Sequence, residues 1–210
     1  MDTDRIPEVI ASLKELIVKT LEVTMAFPTR KSYIGVPPPY EEFAQMVGHL
    51  RTDAFPQQTV AVLSFNYDIG VDMALYRADL GPNYVIEASP KKTNAVDLLK
   101  LHGSLNWATE KESRRIRPLH LHHYFQNYSI PGFDEHGEIR LPIGSQLVEY
   151  FSRHANPKAD VEAEPVIVPP SWNKADYHQA LSNIWASAAT HLAEAECIFI
   201  IGYSLPETDS

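Results

Sequence analysis

Three short apolar runs, each followed at once by polar residues, place the strongest constraint on how this chain folds. They are TVAVLSFN at 59–66, DLLKLHG at 97–103 and CIFIIG at 197–202. A near-continuous run of apolar, β-branched residues is typical of a strand buried on both faces, as strands are in parallel sheets. Segments with helical spacing separate these runs. The sequence therefore predicts an α/β fold, with a Rossmann-like parallel sheet flanked by helices.

Periodicity predicts the remaining elements. YVIEA at 84–88 and PVIVPP at 165–170 are further strand candidates. Apolar residues recur at helical spacing in four segments, which are 6–25, 43–50, 68–79 and 176–194.

The composition changes along the chain and suggests its organisation. Residues 1–57 form a predicted N-terminal helical region, and residues 58–210 form the predicted core. Residues 109–160 interrupt that core with charges, prolines and few apolar runs. We interpret this stretch as an irregular inserted segment, and we separately expect the sheet of the core to be incomplete.

The overall charge and the apolar run lengths exclude several kinds of partner. Eighteen Lys and Arg against 27 Asp and Glu leave a formal net charge of −9. This disfavours nucleic acid and anionic membrane surfaces as partners. No apolar stretch approaches the roughly 18 residues that cross a bilayer, and the N-terminus lacks the pattern of a signal peptide. We expect a cytoplasmic protein, whose single Cys197 is buried in its apolar run.

Polar residues follow three of the predicted strands at the point where each strand ends. The segments are SFNYD at 64–68, KLHGS at 100–104 and IGYS at 201–204. Ligands of open parallel sheets bind beyond the carboxyl ends of the strands. If the three strands are neighbours, one cleft is lined by Asn66, Asp68, His102 and Ser204.

Each of these residues also has a purely structural interpretation. Asn66 and Asp68 can cap the helix predicted from residue 68. His102 can be a hydrogen-bonded histidine at a turn, and Gly202 can serve a tight turn with Ser204 as a local cap. Two of the residues His120, His122 and His123 could share a metal with His136 or Asp134, but a solvated loop is the preferred interpretation, so no metal is expected.

The segments SFNYD, KLHGSLNW, VIVPP and IGYSLPETD together resemble the sirtuin-like domain. More narrowly, they resemble its zinc-free branch, which occurs in prokaryotic defence proteins. The resemblance covers residues from about 58 to 209 in order and spacing. It implies a Rossmann-like domain that binds NAD as its substrate and cleaves the nicotinamide–ribose bond. It also implies a context of anti-phage defence.

The resemblance assigns a role to each matching residue. His102 would be the general base, acting on a ribose hydroxyl or on water, and Asn66 would orient the ribose or that water. Asp68 would lie near the nicotinamide. The other NAD-binding positions that the resemblance implies are Gly103, Gly202, Tyr203 and Ser204.

The chain departs from this family in its glycines. The family begins with a strand and a glycine-rich loop that approaches the pyrophosphate, whereas the nine glycines here include no Gly-x-Gly. The chain is therefore expected to be truncated at both ends relative to the family. Two hypotheses stay open: an NAD hydrolase, or an inactive nucleotide-binding or interaction fragment. Expected partners are NAD or ADP-ribose, and a second copy or a complementing segment.

Overall fold

A computed structural model describes residues 6–30, 33–52, 59–86, 94–119, 121, 140–142, 161–169 and 175–202. Its helices are α1 (Ile6–Thr24), α2 (Pro38–Thr52), α3 (Gly70–Arg77) and α4 (Ala175–Glu194). The first five strands are β1 (Ala26–Arg30), β2 (Tyr33–Ile34), β3 (Ala61–Ser64), β4 (Pro82–Asn83) and β5 (Val96–Lys100). The others are β6 (Gly103–Glu110), β7 (Ile116–Pro118), β8 (Arg140–Pro142) and β9 (Val161–Ile167).

A parallel sheet in the order β3-β5-β4 positions the polar strand ends. β5 lies at its centre, with Ala61 of β3 opposite Asp97 and Pro82 of β4 opposite Val96. The expected α/β fold, an incomplete parallel sheet flanked by helices, is confirmed.

Alternate residues of β5 pack against different helices, as the two-residue period of a strand requires. Val96 and Leu98 join a core cluster that contains residues of α3. Leu99 joins a second cluster that contains Leu181 and Ile184 of α4. Helices thus cover both faces of the strand, which explains why every residue of β5 is buried.

The four segments with helical spacing all contain helices. α2 begins at Pro38, earlier than its apolar spacing predicted, and α3 covers Gly70–Arg77 of the predicted 68–79. Proline fits the first turn of a helix because the N–H that it lacks has no intrahelical acceptor there. Within the described part of the chain, no helix is both long and apolar enough to cross a membrane.

Two antiparallel sheets accompany the parallel one in the described residues, in the orders β7-β6-β9 and β2-β1-β8. The sequence analysis continued a strand from residue 97 to Gly103. In the structure β5 ends at Lys100, the chain turns at residues 101–102, and β6 begins at Gly103. The predicted insert at 109–160 contributes β7 and β8. Most of that segment lies outside the described residues.

Two strand predictions differ from the structure. Residues 84–86 are not in a strand, because Val85 adopts a left-handed backbone conformation with φ of 54° that an extended strand excludes. The pairing falls instead at Pro82–Asn83. Residues 197–202 are also outside any strand, because no described strand pairs with them. Cys197 is exposed, so its predicted burial is wrong.

Candidate functional site

Asn66 and His102 lie at the same edge of the parallel sheet. Ser64 and Lys100 are partners in the register of β3 and β5, and the Leu101 N–H donates to the Ser64 carbonyl over 2.9 Å. Asn66 and His102 each follow that register pair by two residues. The structure therefore brings together, at the carboxyl ends of neighbouring parallel strands, two of the residues that the sequence singled out.

Three aromatic rings surround the imidazole of His102. The ring centroids of Phe65, Tyr67 and Trp185 lie 5.3, 6.2 and 6.4 Å from that of His102. Phe65 is 52% exposed and Trp185 is 38% exposed, so both rings present apolar surface to an incoming molecule. We call His102 and these three rings the aromatic cluster.

Two rings of the cluster, those of Trp185 and Tyr67, are anchored by their polar atoms. The Trp185 indole N–H donates to the Leu101 carbonyl over 3.1 Å, and the Tyr67 hydroxyl donates to the Val168 carbonyl over 2.5 Å. The sequence analysis assigned none of the three rings around His102 to the site. The signal for Phe65 and Tyr67 was present, because they flank Asn66 within SFNYD.

The side chain of Asn66 is exposed and has no hydrogen-bond partner within the described residues. Its backbone N–H donates to the Ser64 hydroxyl over 3.2 Å. That contact fixes the chain direction after β3 and leaves the amide group available to a ligand. The structure thus shows no cap formed by the Asn66 side chain.

Asp68 makes a local structural contact beside the helix that the sequence analysis expected it to cap, but the N-cap residue of α3 is Ile69, without a side-chain cap hydrogen bond. The Asp68 Oδ1 accepts the Gly70 N–H over 2.8 Å, directly at the start of α3. Burial, followed by the negative charge of Asp68, raises the pKa of Tyr40. A Cβ on Gly70 would come within 2.8 Å of the Tyr40 ring, so this glycine allows the close approach.

Gly103 is required by packing. Its φ is 87°, and a Cβ placed there would lie 2.1 Å from the Val166 carbonyl oxygen of β9. The neighbouring Val168 N–H donates to the His102 carbonyl over 2.8 Å. These contacts hold the backbone of His102 against the start of the antiparallel sheet, and they account for the glycine without a ligand.

The third strand end is not joined to the other two by any described contact. Gly202 is exposed and has a left-handed φ of 70°. Tyr203 and Ser204 lie outside the described residues, as do His120, His122 and His123. The site that the structure describes is therefore built from two strand ends and the aromatic cluster.

A buried polar network lies beneath the loop that carries Asn66. Lys100 Nζ lies 3.0 Å from Asp72 Oδ2, and both side chains are at most 1% exposed. The other Asp72 oxygen accepts the Tyr84 hydroxyl over 2.6 Å. Asn106 donates to that hydroxyl over 2.9 Å and accepts from Ser104 over 2.7 Å.

The network also holds the loop itself. The Lys100 ammonium donates to the backbone carbonyl of Asp68, and the Leu105 N–H donates to that of Tyr67 over 3.0 Å. A buried ion pair offsets its desolvation cost only when its remaining donors and acceptors are also paired. Here the second carboxylate oxygen and the ammonium both have such partners. The network therefore fixes the backbone between β3 and α3.

Tyr84 is the residue of this network whose ionisation the fold opposes. Burial raises its pKa well above the usual value, and the Asp72 carboxylate raises it further. A neutral hydroxyl can donate to the carboxylate, whereas a phenolate would face it with a like charge. Sequence analysis missed this network, because its five residues come from four segments of the chain.

No group of three or more His, Cys, Asp or Glu side chains suited to a metal occurs in the ranges that the structure describes. Comparisons with known proteins give no match to this chain among family models, curated proteins or solved structures. Its function is therefore inferred from the site and from the motifs.

Proposed function

We propose that this chain binds NAD at the carboxyl edge of its parallel sheet and hydrolyses the nicotinamide–ribose bond there. The observation that carries this proposal is that Asn66 and His102 each follow the register pair Ser64–Lys100 by two residues, at neighbouring strand ends beside half-exposed aromatic rings. Open parallel sheets bind nucleotides at this edge. The resemblance of SFNYD and KLHGSLNW to the sirtuin-like domain supports the choice of NAD.

The reaction needs one base and one group that orients water. As the bond breaks, nicotinamide leaves as a neutral molecule with the bonding electron pair, and positive charge develops on the ribose. Water attacks the anomeric carbon and gives its proton to the imidazole of His102. The Asn66 amide would orient that water or a ribose hydroxyl. General-base catalysis of this kind contributes about 10²–10⁴-fold in rate.

The aromatic cluster supplies what a nucleotide ring requires. Phe65 and Trp185 present apolar faces, and stacking between a base and an aromatic ring contributes about 1–3 kcal/mol. The same rings limit the approach of other nucleophiles to the reacting carbon. The hydrogen bonds of the Trp185 indole and the Tyr67 hydroxyl keep those two rings in place before a ligand arrives.

Mixing the purified chain with NAD and following nicotinamide and ADP-ribose tests the proposal. We expect release of both products, and we expect His102→Ala to lower the rate by about 10²–10⁴-fold. His49→Ala is the matched control, since His49 is an exposed histidine of α2. Failure of the parent chain to release nicotinamide would contradict the hydrolase proposal.

A second candidate function is nucleotide binding without turnover. The absence of Gly-x-Gly from the sequence favours it, because backbone donors at a helix N-terminus supply much of pyrophosphate binding. Calorimetry with ADP-ribose separates the two candidates. Heat of binding without nicotinamide release supports this second function, and no binding at all rejects both.

We also propose a biological setting for this activity. The resemblance to the zinc-free branch of sirtuin-like domains suggests NAD depletion in the cytoplasm during anti-phage defence. Protein deacylation is the less favoured chemistry, because the sequence contains a single cysteine and so lacks the zinc-binding cysteines of sirtuins proper.

A further inference from the structure

Residues 197–201 have the apolar composition of an interior strand, but their side chains are exposed to solvent. Ile198, Phe199, Ile200 and Ile201 are 58%, 76%, 58% and 69% exposed. They have no hydrogen bond with other described residues. Consecutive apolar residues without an internal charge or proline form an effective template for strand pairing.

β3 also has the composition of an interior strand, although it lies at the edge of the parallel sheet. Its residues are all half-buried, whereas every residue of the central β5 is buried. Natural sheet edges are blunted by short strands or proline. The opposite edge follows that rule, because β4 has two residues and begins at Pro82. The β3 edge has neither proline nor charge, so it resembles an interior strand, although none of the described strands lies beyond it.

The direction of α4 places the start of residues 197–201 at the amino end of this sheet. Trp185 contacts Leu101, beyond the carboxyl end of β5, and His191 Nε2 lies 3.2 Å from Asp97 Oδ2 near its amino end. α4 therefore runs antiparallel to β5. The segment after α4 starts at the amino end of the sheet, as the next strand of a βαβ unit does.

We propose that an extended segment of a partner polypeptide inserts between β3 and residues 197–201 and completes the sheet. The partner segment contains a run that pairs with the sheet. This run is uncharged and rich in β-branched residues, because it must be buried on both faces. The partner segment carries Lys or Arg just before this run, since Glu194 and Glu196 are exposed at the amino end of the acceptor segment. The binding mode is strand addition.

A fluorescent peptide with the sequence Lys-Lys-Val-Ile-Val-Val-Ile-Ser tests this proposal with the whole chain. We expect saturable binding, and we expect slowed hydrogen exchange of both 61–64 and 197–201 in the complex. A peptide with proline at its fourth and sixth positions is the control, because proline cannot donate to a ladder. Equal binding of the two peptides, or protection of one acceptor segment alone, contradicts the proposal.

Variants of the chain separate strand pairing from nonspecific apolar adsorption. Ile200→Pro should weaken peptide binding by at least about tenfold. It should leave the melting temperature unchanged, because the residue makes no described packing contact. Leu16→Lys, on an apolar residue of α1 that is 62% exposed, should not weaken binding. Equal loss in both variants would show nonspecific adsorption.

A second copy of the chain is the competing occupant. Sedimentation of the chain without peptide tests it, at concentrations up to those used for binding. A monomer supports the partner strand, whereas a dimer that Ile200→Pro dissociates assigns the edge to self-pairing and overturns the proposal. These experiments use no NAD, so their outcomes are independent of whether the chain is a hydrolase.

Discussion

At the residue scale, Tyr84 links the buried network to pH. Its pKa is raised by burial first and by the Asp72 carboxylate second, so the folded state holds the phenolic proton more tightly than the unfolded state. The stability from this group is present below the unfolded pKa of about 10 and is lost as pH rises above it. The slope approaches about 1.4 kcal/mol per pH unit for one proton.

Tyr84→Phe tests this linkage through chemical denaturation across pH. At neutral pH we expect a loss of about 1–3 kcal/mol, because Asp72 and Asn106 lose a buried partner. Above pH ~10 the difference from the parent should shrink, since phenylalanine does not ionise. A constant difference across the whole pH range would contradict the assignment. Tyr67→Phe is the control. Burial also raises the pKa of Tyr67, but no carboxylate adds to it, so we expect its stability difference to change less with pH.

Gly103 is the residue at which a single added methyl group should matter most. Its positive φ and the 2.1 Å approach of the Val166 oxygen leave no space for a Cβ. Gly103→Ala should lower the free energy of unfolding by more than about 2 kcal/mol. Gly81→Ala is the matched control, because no atom lies within 4 Å of its added Cβ and its φ is not positive. Equal stability of the two variants would contradict this account.

At the scale of elements, the Lys100–Asp72 pair ties α3 to β5 beneath the Asn66 loop. Lys100→Met leaves a buried carboxylate without its cation and should cost about 3–5 kcal/mol. Adding Asp72→Asn removes that uncompensated charge, so the double variant should be more stable than Lys100→Met alone. Denaturation of the parent, both single variants and the double variant measures the coupling. Strictly additive losses would show that the two groups do not act as a pair.

The sequence predicted elements well where periodicity and burial agree. The apolar spacing of 6–25 and 176–194 matches α1 and α4 closely, and the runs at 59–66 and 97–103 contain β3 and all but the first residue of β5. Residues 84–86 differ because the left-handed φ of Val85 breaks the extended conformation. β1 escaped prediction because its partner β8 lies more than 100 residues away in the chain.

The candidate site was predictable only in part, for a similar reason. Asn66 and His102 follow recognisable strands, so their positions at one sheet edge could be predicted from the sequence. The aromatic cluster depends on Trp185, whose helix reaches His102 only through the tertiary fold. The same holds for the buried network, whose members are far apart in the sequence.

At the scale of the whole molecule, helices cover both faces of the sheet, and no strand of the described ranges pairs with the outer edge of β3. The candidate site lies at the carboxyl end of that same strand. The proposed strand addition and the proposed nucleotide site therefore concern adjacent parts of one sheet. Since the net charge of −9 disfavours anionic ligands in general, the proposed nucleotide would have to be recognised by local donors and aromatic surface.

The most direct test of the central claim is a titration of the chain with ADP-ribose, monitored through the NMR signals of histidine rings. The His102 signal is assigned from its absence in His102→Gln. We predict that saturating ADP-ribose shifts the His102 signal and leaves that of the exposed His49 in place. An unchanged His102 signal at saturating ADP-ribose would contradict a nucleotide site at this edge of the sheet.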